Sequence, residues 1–237
     1  MIEMIDKYWL YFLIGSYPNG PIGGLAMTII MAVVVLVVAF PVAILLGMAR
    51  TSGVRVLSEP VRLFVSLIRG LPLIMFVFWV YFAVPMATGV VLAGVTTMIL
   101  ALIIYEAAYL SEIVRAGIEA IPKGQIEAAS ALGINYRIRM LRIVLPQALF
   151  NMLPSLVSQF GSIIKETSVG YVIAAQELTF AIAQANNIEA TKPLPLFAIM
   201  AIVFYLLCGG VNLAAKAFER RIIAKRTFNS AMQLREA

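Results

Sequence analysis

Long apolar segments alternate along this chain with shorter segments that carry most of the charged residues. The hydrocarbon core of a bilayer is about 30 Å thick, and an α-helix needs about 20 apolar residues to cross it. Five segments are long and apolar enough, which predicts an all-α integral membrane protein with five transmembrane helices. The predicted spans are residues 24–48, 72–89, 91–111, 144–164 and 194–215.

Two further helical segments are predicted at the membrane surface. Arg62 and Arg69 precede the second span, and Gly70 and Pro72 separate them from it. Since glycine and proline interrupt helices, we expect a surface helix that ends before this span begins. Residues 1–18 combine charges with an aromatic cluster and are too short to span, so they are predicted to be an interfacial anchor and not a cleavable signal.

Composition supports this reading and excludes several kinds of site. Of the 237 residues, 62% are apolar and 13% are charged, whereas soluble domains contain about 25% charged residues. The chain has no histidine, which excludes Ser-His and Cys-His catalysis and a histidine metal site. The single cysteine, Cys208, lies in an apolar run and is expected to be a packing residue. No catalytic residue and no metal ligand is predicted, and residues 1–237 are expected to form one transmembrane domain.

The distribution of basic residues predicts the orientation. With five spans, residues 49–71, 112–143 and 216–237 share one side, and this set contains 15 of the 18 lysines and arginines. The other side contains only Lys7, Lys165 and Lys192. Because cytoplasmic loops collect positive charge, the N-terminus is predicted outside and the C-terminus in the cytoplasm. The net charge of +6 is therefore attributed to topology and lipid contact, and no nucleic-acid partner is expected.

The loop 112–143 is longer than most connections between membrane helices and is predicted to be helix, turn and helix. Residues 112–121 can continue the third span, and Pro122 to Gly124 then interrupt it. Strong helix formers follow from Gln125, and Gly133 is a suitable C-terminal stop. This short helix of small residues could insert into a groove on a partner. A helix lying on lipid headgroups, with its arginines on anionic lipid, is the alternative.

One motif in this loop resembles a known family. The segment from Glu127 to Pro146 resembles the EAA loop of ABC importer permeases of the type I importer fold. It consists of Glu127-Ala128-Ala129, three residues, Gly133, nine residues, Ile143, one residue and Leu145-Pro146. The segments Arg69-Gly-Leu-Pro-Leu73, Ile113 to Ile118 and Ile121 to Gln125 resemble the polar amino-acid branch of that family. The resemblance covers about residues 60–180.

This resemblance implies a set of partner subunits, and it implies that ATP is bound on one of them and not on this chain. In the family the loop forms a coupling helix that docks on an ATP-binding subunit, which makes Glu127, Ala128, Ala129 and Gly133 the docking positions by similarity. A second permease, identical or paralogous, two ATP-binding subunits and an external solute-binding protein complete such a complex. The chain has no Gly-x4-Gly-Lys-Ser/Thr motif, so ATP and Mg are expected on the partner subunit and no cofactor is expected in this chain.

The fourth span carries a polar stripe. Its members recur every three or four residues and fall within an arc of about 100° on a helix. They are Gln147, Asn151, Ser155, Ser158, Ser162 and Glu166. Such a face suits a water-lined or solute-lined pathway, and a hydrogen-bonded seam between helices is the alternative. Pro154, within the stripe, predicts a kink.

Charged residues near this stripe extend the candidate pathway. Lys165-Glu166-Thr167-Ser168 resemble a segment common in amino-acid permeases, and an anion, a cation and two hydroxyls could engage both ends of a free amino acid. Lys165 and Glu166 could instead pair with each other or lie among headgroups. Glu106 is the only carboxylate placed within a span, where charge is costly, and it is expected to face a partner near the cytoplasmic mouth or the solute. No paired carboxylates are expected within the membrane.

The resulting prediction is a permease subunit of a polar amino-acid ABC importer in the bacterial inner membrane, working by alternating access with ATP hydrolysed on another subunit. Residues 165–193 would form an external cap near the solute-binding protein. The chain itself is not expected to be an enzyme. A permease of the same family for another solute, such as an osmolyte, is the nearest alternative, and an ion-driven secondary carrier is a more distant one.

Overall fold

The computed structural model describes residues 2–189 and 193–236, with side chains up to residue 217, and all of its regular elements in this part are helical. The predicted all-α fold is therefore confirmed. The helices are α1 (Ile2–Ile14), α2 (Gly24–Thr51), α3 (Arg55–Gly70), α4 (Leu73–Thr88), α5 (Gly94–Glu119), α6 (Lys123–Ala131), α7 (Tyr136–Ile138), α8 (Leu145–Glu166), α9 (Leu178–Glu189) and α10 (Pro193–Glu236). A π-helical turn, Arg139–Val144, precedes α8, and a 3-10 helix, Thr167–Ile173, follows it.

Four helical segments of the described chain are long and apolar enough to cross a membrane: Gly24–Thr51, Gly94–Glu119, Tyr136–Ile173 and Pro193–Ala217. The short helix α4 qualifies only together with α3, and the two are bent by 105° at the break between them. At 1.5 Å per residue, the 16 residues of α4 extend about 24 Å. The pair counts as a fifth span only if it is taken as one broken crossing. The sequence instead predicts a surface helix followed by a separate span at 72–89, and α4 alone is too short to meet that expectation by length.

The centre of the bundle is the packing of α2 against α5. Alanine and methionine side chains from both helices are fully buried there, among them Met31, Ala39 and Ala101. Gly47 permits the closest approach, because a Cβ on it would lie 2.5 Å from Cγ1 of Val114. By contrast, Val37 and Leu45 of α2 are 64% and 63% exposed, as expected for side chains that face lipid.

The two ends of the bundle are held by different contacts. At one end, α9 packs on α1, α2 and α10, Lys7 pairs with Glu189 at 2.7 Å, and Thr28 Oγ1 accepts a hydrogen bond from the Leu178 amide. At the other end lie the C-terminal end of α2, α3 and the loop that contains α6. We call this second end the basic end, because residues 49–71 and 112–143, which lie there, carry nine of the 18 lysines and arginines of the chain.

Candidate functional site

The short helix α6 is held on the basic end by side-chain contacts. Gln147 Nε2 of α8 donates a hydrogen bond to Gln125 Oε1 of α6 at 2.8 Å, and Arg139 donates to the Ser130 hydroxyl. Ile126 packs against the buried cluster formed by α2, α5 and α8. A displacement of α6 would therefore be passed directly to the beginning of α8.

The four predicted docking positions do not all face outward. Glu127, Ala128 and Gly133 are exposed, whereas Ala129 is only 5% exposed. Gly133 has φ +70°, the left-handed conformation that ends a helix and that favours glycine. The Ala129 side chain is thus covered by the protein, while Glu127, Ala128 and Gly133 present the outer surface of α6.

The predicted polar stripe of α8 is divided among three environments. Asn151 and Ser155 are exposed and line a cavity of about 320 Å³ between α5 and α8, together with Glu112. Ser158 is exposed and lines a second cavity, of about 340 Å³, which Asn212 and Lys216 of α10 border. Ser162 and Glu166 are half-buried. The sixth member, Gln147, is used in the contact with α6.

Two carboxyl groups meet near the far end of this stripe. Glu106 of α5 is fully buried, its side chain contacts that of Glu166, and Gln159 Nε2 donates to Glu106 Oε2 at 2.9 Å. Glu106 Oε1 and Glu166 Oε2 are buried without a hydrogen-bond donor among the described residues. Two carboxyl groups in contact, one of them fully buried, favour a proton or a cationic group between them.

This pair corrects one expectation from the sequence, and one alternative left open there is also not observed. No paired carboxylates were expected within the membrane, yet α5 and α8 place Glu106 against Glu166. Lys165 does not pair with Glu166, because it is exposed and forms no ion pair with any described residue. The packing register of α5 on α8, which no local pattern encodes, determines the contact between Glu106 and Glu166.

The hydroxyls that follow Glu166 bind the backbone of α8. The Thr167 hydroxyl, fully buried, donates to the Ile164 carbonyl at 2.8 Å, and the Ser168 hydroxyl donates to the Lys165 carbonyl at 2.6 Å. Both therefore satisfy carbonyl groups at the end of α8 and fix the turn into the 3-10 helix. They position the residues around Glu166.

Several residues of this site were missed by the sequence reasoning. Gln159 stands seven residues before Glu166, which places it on the same helix face, so its spacing carried a usable signal. Glu112 is a second such residue: it binds Arg50 at 2.5 Å and Arg69 at 3.3 Å and also pairs with Arg115. No spacing rule could have found these partners on α2 and α3.

A buried carboxylate lies at the end of the bundle opposite the basic end. Glu177 is fully buried, and its two oxygens accept hydrogen bonds from the amides of Thr179 and Phe180 at 2.8 and 2.9 Å. Burial raises the pKa of Glu177 to about 7 despite these bonds. This residue caps the start of α9, within the predicted external cap 165–193, of which residues 190–192 lie outside the described part.

Comparison with known proteins gives consistent matches. A family model described as a binding-protein-dependent transport system inner membrane component matches residues 39–224. The probable glutamine ABC transporter permease protein GlnP of Bacillus subtilis (strain 168) is 37% identical over 200 residues, which cover 84% of this chain and 91% of the relative. The arginine transport system permease protein ArtQ of the same organism is 34% identical, over 84% of this chain and 90% of the relative.

A solved structure matches at the level of the fold. The protein described as "Crystal structure of an amino acid ABC transporter with histidines" superposes with a TM-score of 0.81 at 25% identity, over 93% of this chain and 97% of that chain. A chain of the methionine ABC transporter MetNI in an inward-facing conformation superposes with a TM-score of 0.66 at 21% identity. Both alignments cover nearly the whole bundle.

Proposed function

The chain belongs to the family of binding-protein-dependent transport system inner membrane components, and from this premise we propose that it is the bacterial inner-membrane permease subunit that translocates a polar amino acid in an ABC importer. The observation that carries the proposal is the polar face of α8, which leads from exposed Asn151 and Ser155 towards the carboxyl pair of Glu106 and Glu166. The names of the relatives, which include glutamine and arginine permeases, support this solute class.

The basic end is the cytoplasmic end in this proposal. The 15-to-3 division of basic residues supports it, since positively charged loops are retained in the cytoplasm. The N-terminus, Lys165 and the cap around α9 then lie outside, where a solute-binding protein would deliver the amino acid. ATP would be hydrolysed on a separate subunit, because this chain has no phosphate-binding loop.

Docking of the ATP-binding subunit is assigned to the outer surface of α6. Glu127, Ala128 and Gly133 form this surface, while Ala129 is buried and Ile126 packs against the cluster of α2, α5 and α8. Movement of the docked subunit would pull on α8 through the Gln125–Gln147 hydrogen bond and through Arg139. Alternating access then requires only two positions of α8 relative to α5.

Solute binding is assigned to the carboxyl pair and the stripe. An ammonium group between Glu106 and Glu166 would supply the donors that their unpaired oxygens lack. Gln159 fixes the Glu106 carboxyl group, while Ser155, Ser158 and Ser162 provide hydroxyls along the route. Lys165, exposed just outside, would attract the carboxylate, and Thr167 and Ser168 hold the turn that orients Glu166.

A second permease copy, identical or paralogous, completes the pathway in this proposal. Asn151, Ser155 and Ser158 are exposed on a helix that crosses the membrane, and lipid cannot satisfy their hydrogen-bonding groups. A dimer of permeases with two ATP-binding subunits would bury this face.

The test of solute binding is uptake of radiolabelled amino acids by proteoliposomes that contain the whole complex. Hydrogen bonds to charged groups contribute about 1.5–3 kcal/mol, so Glu106→Gln should lower kcat/KM by about 10-fold to 150-fold. Glu119→Gln, the same change at an exposed position of the same helix, is the matched control. Unchanged uptake in Glu106→Gln, or uptake driven by an ion gradient without internal ATP, would refute the proposal.

The test of docking is co-purification with the ATP-binding subunit. Glu127→Arg should abolish co-purification while the permease still inserts into the membrane, because the charge is reversed on the exposed surface of α6. Glu59→Arg, a reversal on the exposed face of α3, should leave the complex intact. Equal recovery of the ATP-binding subunit with both variants would contradict the assignment of α6.

A further inference from the structure

An apolar groove lies at the basic end, on the outside of the bundle. It encloses about 540 Å³ between the end of α2, the beginning of α3 and the segment from α7 to the π-helical turn. Its lining residues include Leu45, Ala49, Leu57, Arg137, Met140 and Leu141. Nearly all of them are apolar, and no bound solute of the proposed transport pathway would suit such a lining.

The groove is open at the surface of the bundle, where the described chain leaves its walls uncovered. Leu45, Leu57 and Leu141, which line it, are 63%, 50% and 56% exposed. They belong to three separate elements, so the groove is a cleft between helices that a membrane-embedded chain can enter laterally. Water filling this cleft would leave its apolar walls hydrated, which is unfavourable.

One cation marks the rim of the groove. Arg137 is exposed and forms no ion pair with any described residue. Ser52, the other small polar group in the lining, is already occupied, since its hydroxyl donates to the Ala49 carbonyl and accepts from the Val54 amide. An apolar cleft with one free guanidinium at its mouth complements an acyl chain attached to a phosphate.

The wall of the groove is connected to α6. The Arg139 guanidinium lies 5.8 Å from the ring centre of Tyr136, and the same guanidinium donates to Ser130 of α6. The π-helical turn Arg139–Val144 supplies Met140 and Leu141 to the lining, and π-helical turns are less stable than α-helix. An occupant that fixes Tyr136 and this turn therefore also fixes the coupling contact of α6.

We propose that the groove binds one anionic phospholipid of the cytoplasmic leaflet, with an acyl chain in the cleft and the phosphate on Arg137, and that this lipid stabilises the position of α6. The inference rests on the proposed orientation, which places the basic end at the cytoplasmic leaflet. The lipid thus supports the contact between α6 and the ATP-binding subunit, and it is distinct from the transported solute.

The experiment is native mass spectrometry of the whole complex extracted from nanodiscs that contain equal amounts of phosphatidylglycerol and phosphatidylcholine. The wild-type complex should retain phosphatidylglycerol in preference to phosphatidylcholine. One arginine near an anionic surface contributes about fivefold in affinity, so Arg137→Gln should lower this preference about fivefold. Arg62→Gln, which removes an exposed charge of α3 outside the lining, is the control and should retain the preference.

A second variant tests the cleft separately from the charge. Ala49→Leu adds three carbons to the lining and should reduce retention of both lipids, whereas Arg137→Gln should reduce only the selectivity. Equal effects of Arg137→Gln and Arg62→Gln, retention that matches the nanodisc composition, or a peptide segment found in the cleft would each overturn the proposal. Lipid retention does not require transport, so its failure is separate from a failure of the Glu106 uptake test.

Discussion

The ion cluster around Glu112 supports a quantitative prediction. The Glu112 carboxylate binds Arg50 of α2 at 2.5 Å and lies 3.3 Å from Arg69 at the end of α3, and Arg115 Nε donates to it at 2.8 Å. It therefore joins α2, α3 and α5 at the basic end. Glu112→Gln removes the charge that three arginines share and leaves the Arg50 guanidinium, whose side chain is 12% exposed, without a counterion.

The magnitude follows from the exposure of the groups. Removing one partner of a fully buried pair costs about 3–5 kcal/mol, whereas exposed pairs contribute about 0–1 kcal/mol. With Arg50 12% and Glu112 24% exposed, the loss should be about 2–3 kcal/mol. At about 2–4 °C per kcal/mol for a chain of this size, the apparent Tm should fall by about 4–12 °C.

The assay is thermal unfolding of the purified complex, followed by intrinsic fluorescence. The matched control is Glu119→Gln, since Glu119 is 55% exposed and pairs only with Arg115 among the described residues. Arg115 and Glu119 are four residues apart on one helix, and such pairs contribute about 0.3–0.5 kcal/mol. We therefore expect the control to lower the apparent Tm by no more than about 2 °C. If the two variants melt at the same temperature, the cluster does not hold the three helices together and the reasoning fails.

Three further predictions follow from other parts of the bundle. Gly47→Leu should strongly reduce the amount of folded permease in membranes, measured by size-exclusion chromatography, because even the Cβ would lie 2.5 Å from Val114. Ser155→Leu should lower uptake several-fold in the proteoliposome assay while the complex still assembles, because it places an apolar side chain on the polar face of α8. Because burial raises the pKa of Glu177 to about 7 from an ordinary value of 4.5, the folded protein binds a proton that the unfolded chain has lost. The stability of α9 should therefore fall as the pH rises from about 5 to about 7. Hydrogen exchange of the α9 amides, corrected for the intrinsic exchange rate at each pH, should show a smaller free energy of opening at the higher pH. Glu177→Gln should remove this dependence.

The spans could be predicted from the sequence because a single physical requirement, the thickness of the bilayer, controls them. The first predicted span, 24–48, corresponds to α2, Gly24–Thr51, and the interruption at Gly70 and Pro72 separates α3 from α4 as expected. The bend of 105° could not be predicted, since proline and glycine permit a break without fixing its angle. That angle depends on how α3 and α4 each pack against α5.

The candidate site was predictable only where it lies on one helix. The periodicity of α8 identified Asn151, Ser155 and Ser158 as one face, and all three are exposed together. The contact between Glu106 and Glu166 could not be read from the sequence, because it depends on the register between two helices. Gln147 illustrates the same limit, since its spacing fits the stripe while its actual partner, Gln125, lies on α6.

The uncovered polar face of α8 also has a consequence for how a cell handles this chain. A copy inserted alone leaves Asn151, Ser155 and Ser158 without a polar partner from another subunit, so it is a high-energy species until the second permease proposed above covers this face. Membrane proteases that extract poorly accommodated helices would remove such orphans. The abundance of this permease is then set by assembly, and overproducing the chain by itself would yield rapid turnover instead of accumulation.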